Sequence, residues 1–166
     1  MKETIYFAGG CFWGAQRFFD QFEGVVSTEV GYANGPTKDP TYEEVCNDSG
    51  HAETVKVVYD NAVITLDELI GYYFRIVDPV SVNRQGGDEG IQYRTGIYYT
   101  DNSQLQVINK RMDELEAKLG QKSAIEVMEL QNFYTAEEYH QKYLVKNPDG
   151  YCHIPAAMFE LFKNKE

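Results

Sequence analysis

The chain has 166 residues, which is enough for one domain with a sizeable core but not for two. Its formal charge is −11 at pH 7 and no cluster of Lys or Arg offsets it, so we exclude binding to the phosphate backbone of nucleic acids. No apolar run is long enough to span a bilayer, and residues 1–4 lack a signal-peptide pattern, so we expect no membrane partner.

The cysteine content bears on the cellular compartment. Three cysteines occur, Cys11, Cys46 and Cys152, which is too few for a disulfide scaffold in a chain of this length. The odd number leaves at least one thiol free at any time. These features favour a reducing environment, and we therefore expect the protein to be cytoplasmic.

A strand followed by a helix is predicted at the start of the chain. The apolar run from Thr4 to Ala8 has the residue types of a buried strand, and an amphipathic stretch beyond it predicts a helix. Cys11 falls at the start of this helix, where unpaired N–H groups and the helix dipole favour a thiolate. Glycines stand nearby at positions 9, 10 and 14, and we interpret them as clearing space for another molecule at the sulfur. The alternative is that Cys11 is a small buried hydrophobic residue.

A carboxyl group on an apolar strand face is the second chemical signal. Residues 25–32 predict a strand, residues 33–50 a long loop and residues 52–59 another strand. In the last of these, the alternation of side chains puts Glu53 on the same face as the apolar Val55. Desolvation on such a face raises the pKa of a carboxyl group. The periodicity alone leaves open an ordinary strand-end carboxylate in water.

The rest of the chain alternates helices and strands. The remaining predicted elements are a helix capped by Thr65 and Glu68, a loop at 78–92, strands at 94–99 and 125–130, a helix at 103–119, and a helix that begins with a capping box at Thr135–Glu138 and runs through Tyr143. The order β-α-β-β-α-β, followed by a further helix and strand, predicts an α+β protein. We expect a ferredoxin-like (split βαβ) two-layer sandwich with an irregular C-terminal tail. Residues 1–166 are predicted to form a single domain, with the tail beginning near residue 145.

Short sequence blocks carry a resemblance to a known family. In chain order they are Gly10-Cys11-Phe12-Trp13-Gly14, Pro40-Thr41-Tyr42, Gly50-His51-Ala52-Glu53, Gln85-Gly86-Gly87-Asp88, Gln92-Tyr93-Arg94 and Asn147-Pro148-Asp149-Gly150-Tyr151-Cys152. With these blocks the chain resembles the A-type methionine-S-sulfoxide reductases, the MsrA family. The resemblance implies reduction of the S epimer of methionine sulfoxide, free or in proteins. It also implies thioredoxin as the external reductant, with neither a bound cofactor nor a metal.

The resemblance and the local chemistry agree on two residues. A thiol reduces a sulfoxide by attacking its sulfur while an acid protonates its oxygen. Cys11 is the predicted nucleophile, because its position at a helix start favours the thiolate. Glu53 is the predicted proton donor, because a buried carboxyl group can keep its proton at neutral pH.

The resemblance implies roles for further residues around this pair. Tyr42 and Tyr93 are expected to donate hydrogen bonds to the sulfoxide oxygen. Asp88 is expected to hold polar groups or water at the site. Phe12 and Trp13 fit a pocket for the S-methyl group, since methyl and thioether groups pack well on aromatic rings.

Recycling and support of the site are assigned to three other residues. Once Cys11 has taken up the oxygen it is a sulfenic acid, which a second thiol converts to a disulfide. Cys152 matches the family's recycling cysteine. Cys46 lies in a predicted loop, and both a relay thiol and a buried bystander remain open for it. We interpret His51, in the same block as Glu53, as a residue that supports the site.

A cysteine hydrolase or acyltransferase is an alternative enzyme class. It would pair Cys11 with His51, His140 or His153 as a general base, and it would need an oxyanion hole. Replacing the histidines would abolish such an enzyme but leave most of the activity of a reductase in which Glu53 is the acid.

Two alternatives involve binding. A thiolate metal site would combine Cys46, His51, Cys152 and His153, although their spacing is irregular. A ferredoxin-like ligand-binding module is the non-enzymatic alternative, and the long glycine-lined loops around a thiol argue against it.

Overall fold

Strands and helices alternate along most of the chain. The computed structural model describes residues 1–38, 40–46, 50–85 and 88–147, apart from the side chains of Asp88 and Val145. The strands are β1 (Lys2–Ala8), β2 (Val25–Ala33), β3 (Ala52–Asp60), β4 (Arg84–Gln85), β5 (Asp88–Glu89), β6 (Gly96–Tyr99), β7 (Glu126–Glu129) and β8 (Phe133–Thr135). The helices are α1 (Phe12–Asp20), α2 (Tyr42–Cys46), α3 (Leu66–Tyr73), α4 (Asn102–Leu119) and α5 (Tyr143–Lys146).

Among the described residues, six strands form the main sheet in the order β7-β6-β1-β3-β2-β8. The four inner strands are antiparallel to one another, with β1 between β6 and β3 and with β2 beside β3. This is the strand order of a ferredoxin-like sheet, and β7 and β8 extend it at the two edges, β7 parallel to β6 and β8 antiparallel to β2. The predicted α+β fold is therefore confirmed.

The two faces of the sheet carry different cores. Along β1, Ile5 and Phe7 belong to the larger core, which they share with buried residues of α1, α3 and α4. Tyr6 and Ala8 point to the opposite face, in a smaller cluster that Phe133 helps to cover. The alternation of side chains along a strand separates the two sets. The helices thus lie on one face, where α1 packs against β2 and β3.

The helix signals in the middle of the chain are accurate. Glu68 N–H donates to the Thr65 hydroxyl at 3.1 Å and Thr65 N–H donates back to the Glu68 carboxylate at 3.2 Å, so the predicted capping box at the start of α3 is present. The α4 helix is capped by Asp101 and ends at Gly120, whose φ of 69° lies in the left-handed region. No helix within the described ranges is both long and apolar enough to cross a membrane.

The second predicted capping box, at Thr135–Glu138, is wrong. Thr135 ends β8 and pairs with Gly31 of β2, so its backbone is committed to the sheet. A 3-10 turn follows at Glu138–His140, and helix α5 begins only at Tyr143. The capping pattern here coincides with the end of an edge strand, and the carboxylate of Glu137 turns towards the sheet instead.

The predicted long loops contain short elements. Residues 33–50 include the five-residue helix α2. Residues 78–92 include the β4–β5 pair and most of a 3-10 turn that runs from Ile91 to Tyr93. These elements matter for function because α2 carries Tyr42 and the 3-10 turn carries Tyr93.

Candidate active site

Cys11 is the residue that links β1 to α1. It occupies the N-cap position of the helix with φ −68° and ψ 127°, as the sequence predicts. Its sulfur makes no capping hydrogen bond to the helix. The residue packs in the main core and is 5% exposed, so the thiol is far less open to solvent than the sequence suggests.

Packing and backbone conformation explain why glycine occupies the two positions before Cys11. A Cβ atom on Gly9 would lie 2.5 Å from Cγ1 of Val77, which is an impossible contact. Gly10 has a φ of 72°, a conformation that favours glycine, and its N–H donates to the carbonyl of Tyr93 at 3.1 Å. Packing and backbone conformation therefore account for Gly9 and Gly10 whether or not a second molecule approaches the sulfur.

Glu53 lies next to the start of α1. Its side chain is 1% exposed and shares the helix-covered face of β3 with Val55, as the alternation predicts. The Oε1 atom accepts a hydrogen bond from the backbone N–H of Phe12 at 3.2 Å. The nitrogen of Phe12 forms the peptide bond with Cys11. The carboxyl group of Glu53 therefore lies beside the backbone of the predicted nucleophile.

Tyr42 stands at the first position of α2, close to the same carboxyl group. Burial raises the pKa of its hydroxyl, and the nearby charges of Glu53, Cys46 and Tyr93 raise it further. The phenol therefore remains protonated and able to donate. Its hydroxyl is hydrogen-bonded to the side chain of Cys46, and its backbone N–H donates to Oε2 of Glu137 at 3.0 Å. Tyr93 is half-buried and packs against the main core.

Phe12 and Trp13 begin α1 and differ in burial. Phe12 is 1% exposed, and its ring centre lies 5.7 Å from that of Tyr32 and 5.3 Å from that of His140. Trp13 is only half-buried. Its indole stacks on Tyr143 with ring centres 3.8 Å apart, and its Nε1–H donates to Nδ1 of His140 at 2.9 Å.

The imidazole of His51 is completely buried at the start of β3. Its Nε2 atom lies 2.9 Å from the carbonyl oxygen of Thr37, and its ring fills the space beside Gly35. Burial lowers the pKa of His51, which favours the neutral ring. The side chain therefore holds the loop that leads from β2 towards α2.

Comparison with known proteins decides the family. The family model for peptide methionine sulfoxide reductase matches residues 3–166. The chain belongs to the peptide methionine sulfoxide reductase family. It is 56% identical to the peptide methionine sulfoxide reductase MsrA of Lachnoclostridium phytofermentans over 165 residues, 99% of each protein.

The solved structure of methionine sulfoxide reductase A of Corynebacterium diphtheriae is 38% identical, with a TM-score of 0.82 over 93% of this chain and 83% of that chain. Mxr1 from Saccharomyces cerevisiae in its reduced form is 42% identical, with a TM-score of 0.86 over 91% of this chain and 88% of the yeast chain. The same yeast protein in complex with Trx2 is 29% identical, with a TM-score of 0.61 over 86% of this chain and 84% of that chain. As a member of the MsrA family, the protein is an oxidoreductase that reduces methionine sulfoxide.

The structure gives a hydrolase no support. Nδ1 of His140 is occupied by the indole of Trp13, and Nε2 of the same ring has no hydrogen-bond partner among the described residues. Nε2 of His51 is engaged by the carbonyl of Thr37. His153, the third candidate base, lies outside the described residues. A reductase of the MsrA family fits the chain better than a thiol–imidazole enzyme.

The remaining predicted positions divide into two groups. Cys46 is exposed, so its interpretation as a buried bystander is wrong. Cys152 and the side chain of Asp88 lie outside what the structure describes. Within the described ranges, no group of three or more His, Cys, Asp or Glu side chains is arranged to hold a metal ion.

Two residues that hold this site of the MsrA fold together are not assigned this role from the sequence: Glu137 is not singled out, and His140 is considered only as a base for a hydrolase. The carboxylate of Glu137 accepts from the Tyr32 hydroxyl at 2.7 Å and from the backbone of Tyr42 at 3.0 Å. His140 contacts the indole of Trp13 from 127 positions further along the chain. Both residues lie in a stretch that the sequence predicts as a helix but that forms a 3-10 turn, and their partners are too distant in the chain for a local pattern to identify them.

Proposed function

We propose that this member of the MsrA family reduces the S epimer of methionine sulfoxide, free or within proteins, to methionine. The observation that carries the proposal is the buried carboxyl group of Glu53, hydrogen-bonded to the first N–H of the helix that Cys11 caps. A nucleophile and an acid side by side are the two groups that the reaction needs.

The first step uses Cys11 and Glu53 together. The Cys11 thiolate attacks the sulfoxide sulfur while Glu53 gives its proton to the sulfoxide oxygen. The S–O bond of the substrate then breaks, and the oxygen, as hydroxyl, ends on the cysteine sulfur. Thiolate, sulfoxide and proton thus become sulfenic acid and thioether: the cysteine sulfur is oxidised by two electrons and the methionine sulfur is reduced by two. Glu53 can serve in this way because a protonated carboxyl group accepts the N–H of Phe12 through its carbonyl oxygen and keeps its O–H for the substrate.

Other side chains orient the sulfoxide in this proposal. Tyr42 and Tyr93 donate hydrogen bonds to the sulfoxide oxygen, where negative charge develops. The raised pKa of Tyr42 supports its role as a donor. Phe12 and Trp13 form the pocket for the S-methyl group.

Residues at the margin complete the proposed site. Asp88 holds polar groups or water beside the substrate. His51 supports the site from behind by fixing the loop at Thr37.

The second half of the cycle regenerates the thiol. The thiol of Cys152 attacks the sulfenic sulfur of Cys11, which forms a disulfide and releases water. Thioredoxin then reduces this disulfide by thiol exchange. The structure of the related yeast protein in complex with Trx2 supports this choice of reductant. Residues 1–166 act as a single catalytic domain, whose tail from about residue 145 brings Cys152 to the site, in a reducing cytoplasm.

A single-turnover assay with separated epimers tests this proposal. Without reductant, the wild-type protein should form about one methionine per protein from the S epimer and none from the R epimer. Cys11→Ser should form none, whereas the matched variant Cys46→Ser should behave as wild type. Turnover by Cys11→Ser would show that another group is the nucleophile.

The recycling step needs a separate variant. Cys152→Ala should complete the first turnover and then stop, even with thioredoxin present. Continued turnover with thioredoxin would exclude Cys152 as the resolving thiol.

A further inference from the structure

The hydrogen bond between His140 and Trp13 defines the protonation state of the imidazole. His140 ends the 3-10 turn Glu138–His140 and is 1% exposed. Its Nδ1 atom lies 2.9 Å from Nε1 of Trp13. An indole nitrogen can only donate, so Nδ1 must be an unprotonated acceptor and the ring proton must be on Nε2. The hydrogen bond therefore requires a neutral imidazole.

The same ring is surrounded by aromatic side chains of the proposed site. Its centre lies 4.4 Å from that of Tyr42, 5.3 Å from that of Phe12 and 5.7 Å from that of Trp13. We call Phe12, Trp13, Tyr42 and His140 the aromatic wall. His140 is the member that contacts each of the other three. Tyr139 packs on it from outside, with ring centres 4.1 Å apart.

Trp13 is less buried than Phe12, so contacts outside α1 are needed to fix its orientation. Phe12 is locked in the core, but Trp13 is half-buried at the first turn of α1. Stacking on Tyr143 fixes the plane of the indole, with an interplanar angle of 11°. Stacking still permits the indole to turn within that plane, and the hydrogen bond to His140 removes this freedom.

We propose that His140 is a positioning residue for the reductase, and that its neutral ring holds the Trp13 indole as a rigid wall against the S-methyl group of the substrate. This inference rests on the proposed function, in which Trp13 binds the methyl group. A rigid apolar wall contributes equally to binding of the substrate and of the transition state, so its loss weakens substrate binding and leaves the chemical step intact.

The charges around His140 are compatible with a neutral ring. Burial lowers the pKa of His140, and the carboxylate of Glu137 acts in the opposite direction. The other titratable groups in contact with the ring are the phenols of Tyr42 and Tyr139, whose raised pKa values keep them uncharged at neutral pH.

Two substitutions of His140 distinguish the effect of its hydrogen-bond acceptor from the effect of its aromatic ring. His140→Phe keeps an aromatic ring and removes the acceptor, whereas His140→Asn supplies a carbonyl oxygen that can accept the indole N–H. Tyr139→Phe is the matched control, because it changes an exposed neighbour of the same ring. Single-turnover reduction of the S epimer of N-acetylmethionine sulfoxide, followed against substrate concentration, gives the half-saturating concentration and the limiting rate separately.

The expected result is a change in binding alone. His140→Phe should raise the half-saturating concentration by about tenfold, the effect of losing one hydrogen bond, with the limiting rate unchanged. His140→Asn should restore most of the binding, and Tyr139→Phe should match wild type. Trp13 is the single tryptophan of the chain, so its fluorescence reports the indole directly. Acrylamide quenching should increase in His140→Phe and return towards wild type in His140→Asn.

Wild-type half-saturation and quenching in His140→Phe would overturn the inference. A fall in the limiting rate with unchanged half-saturation would do the same. If His140→Phe does not fold, nitrogen-15 NMR of the wild-type protein tests the inference by identifying the tautomer of His140. A proton on Nδ1 would exclude the hydrogen bond to Trp13 and overturn the inference. Failure of the proposed function would be distinguishable from failure of this inference, because the wild-type protein would then form no methionine in the same assay.

Discussion

Glu53 accepts a hydrogen bond from the backbone N–H of Phe12, although the two residues are 41 positions apart in the chain. The bond places a carboxyl group at the positive end of α1, where Cys11 also lies. Two negative charges at one helix start would repel each other, which favours a state with a single charge. The proposed reaction uses the state with one charge, a thiolate beside a carboxylic acid.

Replacing Tyr42 by Phe should slow the chemical step. Burial raises the pKa of its hydroxyl, which therefore stays protonated, so its loss removes a donor to the developing negative oxygen. We expect a single-turnover rate about 100-fold lower at saturating substrate. The exposed Tyr139→Phe variant serves as the control. An unchanged rate in Tyr42→Phe would remove this residue from the proposed site.

Cys46 should react slowly with alkylating agents in spite of its exposure. Desolvation raises the pKa of this thiol, while the hydrogen bond from Tyr42 acts to lower it. At pH 7.5 in a Cys11→Ser, Cys152→Ser background, iodoacetamide should therefore modify Cys46 more slowly than free cysteine. Adding Tyr42→Phe should slow it further, because the hydrogen bond to the thiolate is lost. Faster alkylation in the Tyr42→Phe background would contradict the contact between the two side chains.

Glu137 should stabilise the protein in a pH-dependent way. Burial acts to raise the pKa of its carboxyl group, but hydrogen bonds from Tyr42 N–H and the Tyr32 hydroxyl outweigh it, so the pKa lies below the ordinary 4.5. A lowered pKa in the folded state adds stability above the unfolded value, and this stability is lost as the pH falls through the folded value. Glu137→Gln should reduce the free energy of unfolding by about 1–2 kcal/mol at pH 7.

Urea unfolding of wild type and Glu137→Gln at pH 7 and at pH 3.5 measures this effect. The difference between the two proteins should shrink at the lower pH. Glu138→Gln is the control, since the Glu138 side chain is 90% exposed and its ion pair with Lys146 is worth little. A difference that is the same at both pH values would show that the charge of Glu137 is not involved.

Local patterns were sufficient to predict much of the framework of the site. The strand–glycine–helix pattern placed Cys11 at the start of α1 because each of its parts depends only on neighbouring residues. The alternation in β3 placed Glu53 on the buried face because the period of a strand is fixed by its geometry. These two inferences needed no knowledge of the tertiary structure.

Contacts between distant segments could not be predicted in the same way. The pattern at Thr135–Glu138 fits a capping box and a strand end equally well, and pairing with Gly31 decides between them. The reason for Gly9 is the side chain of Val77, which the sequence does not place beside it. The hydrogen bond between Trp13 and His140 likewise depends on how α1 and the C-terminal segment pack.

The rate of a single turnover as a function of pH tests the role of Glu53 most directly. A thiolate nucleophile and a protonated acid together give a bell-shaped profile in the wild-type protein. Glu53→Gln should react about 100-fold more slowly and lack the fall in rate at high pH, because no acid remains to lose its proton. The exposed Glu43→Gln variant should keep the wild-type profile. A Glu53→Gln protein with the wild-type rate and a bell-shaped profile would contradict the account.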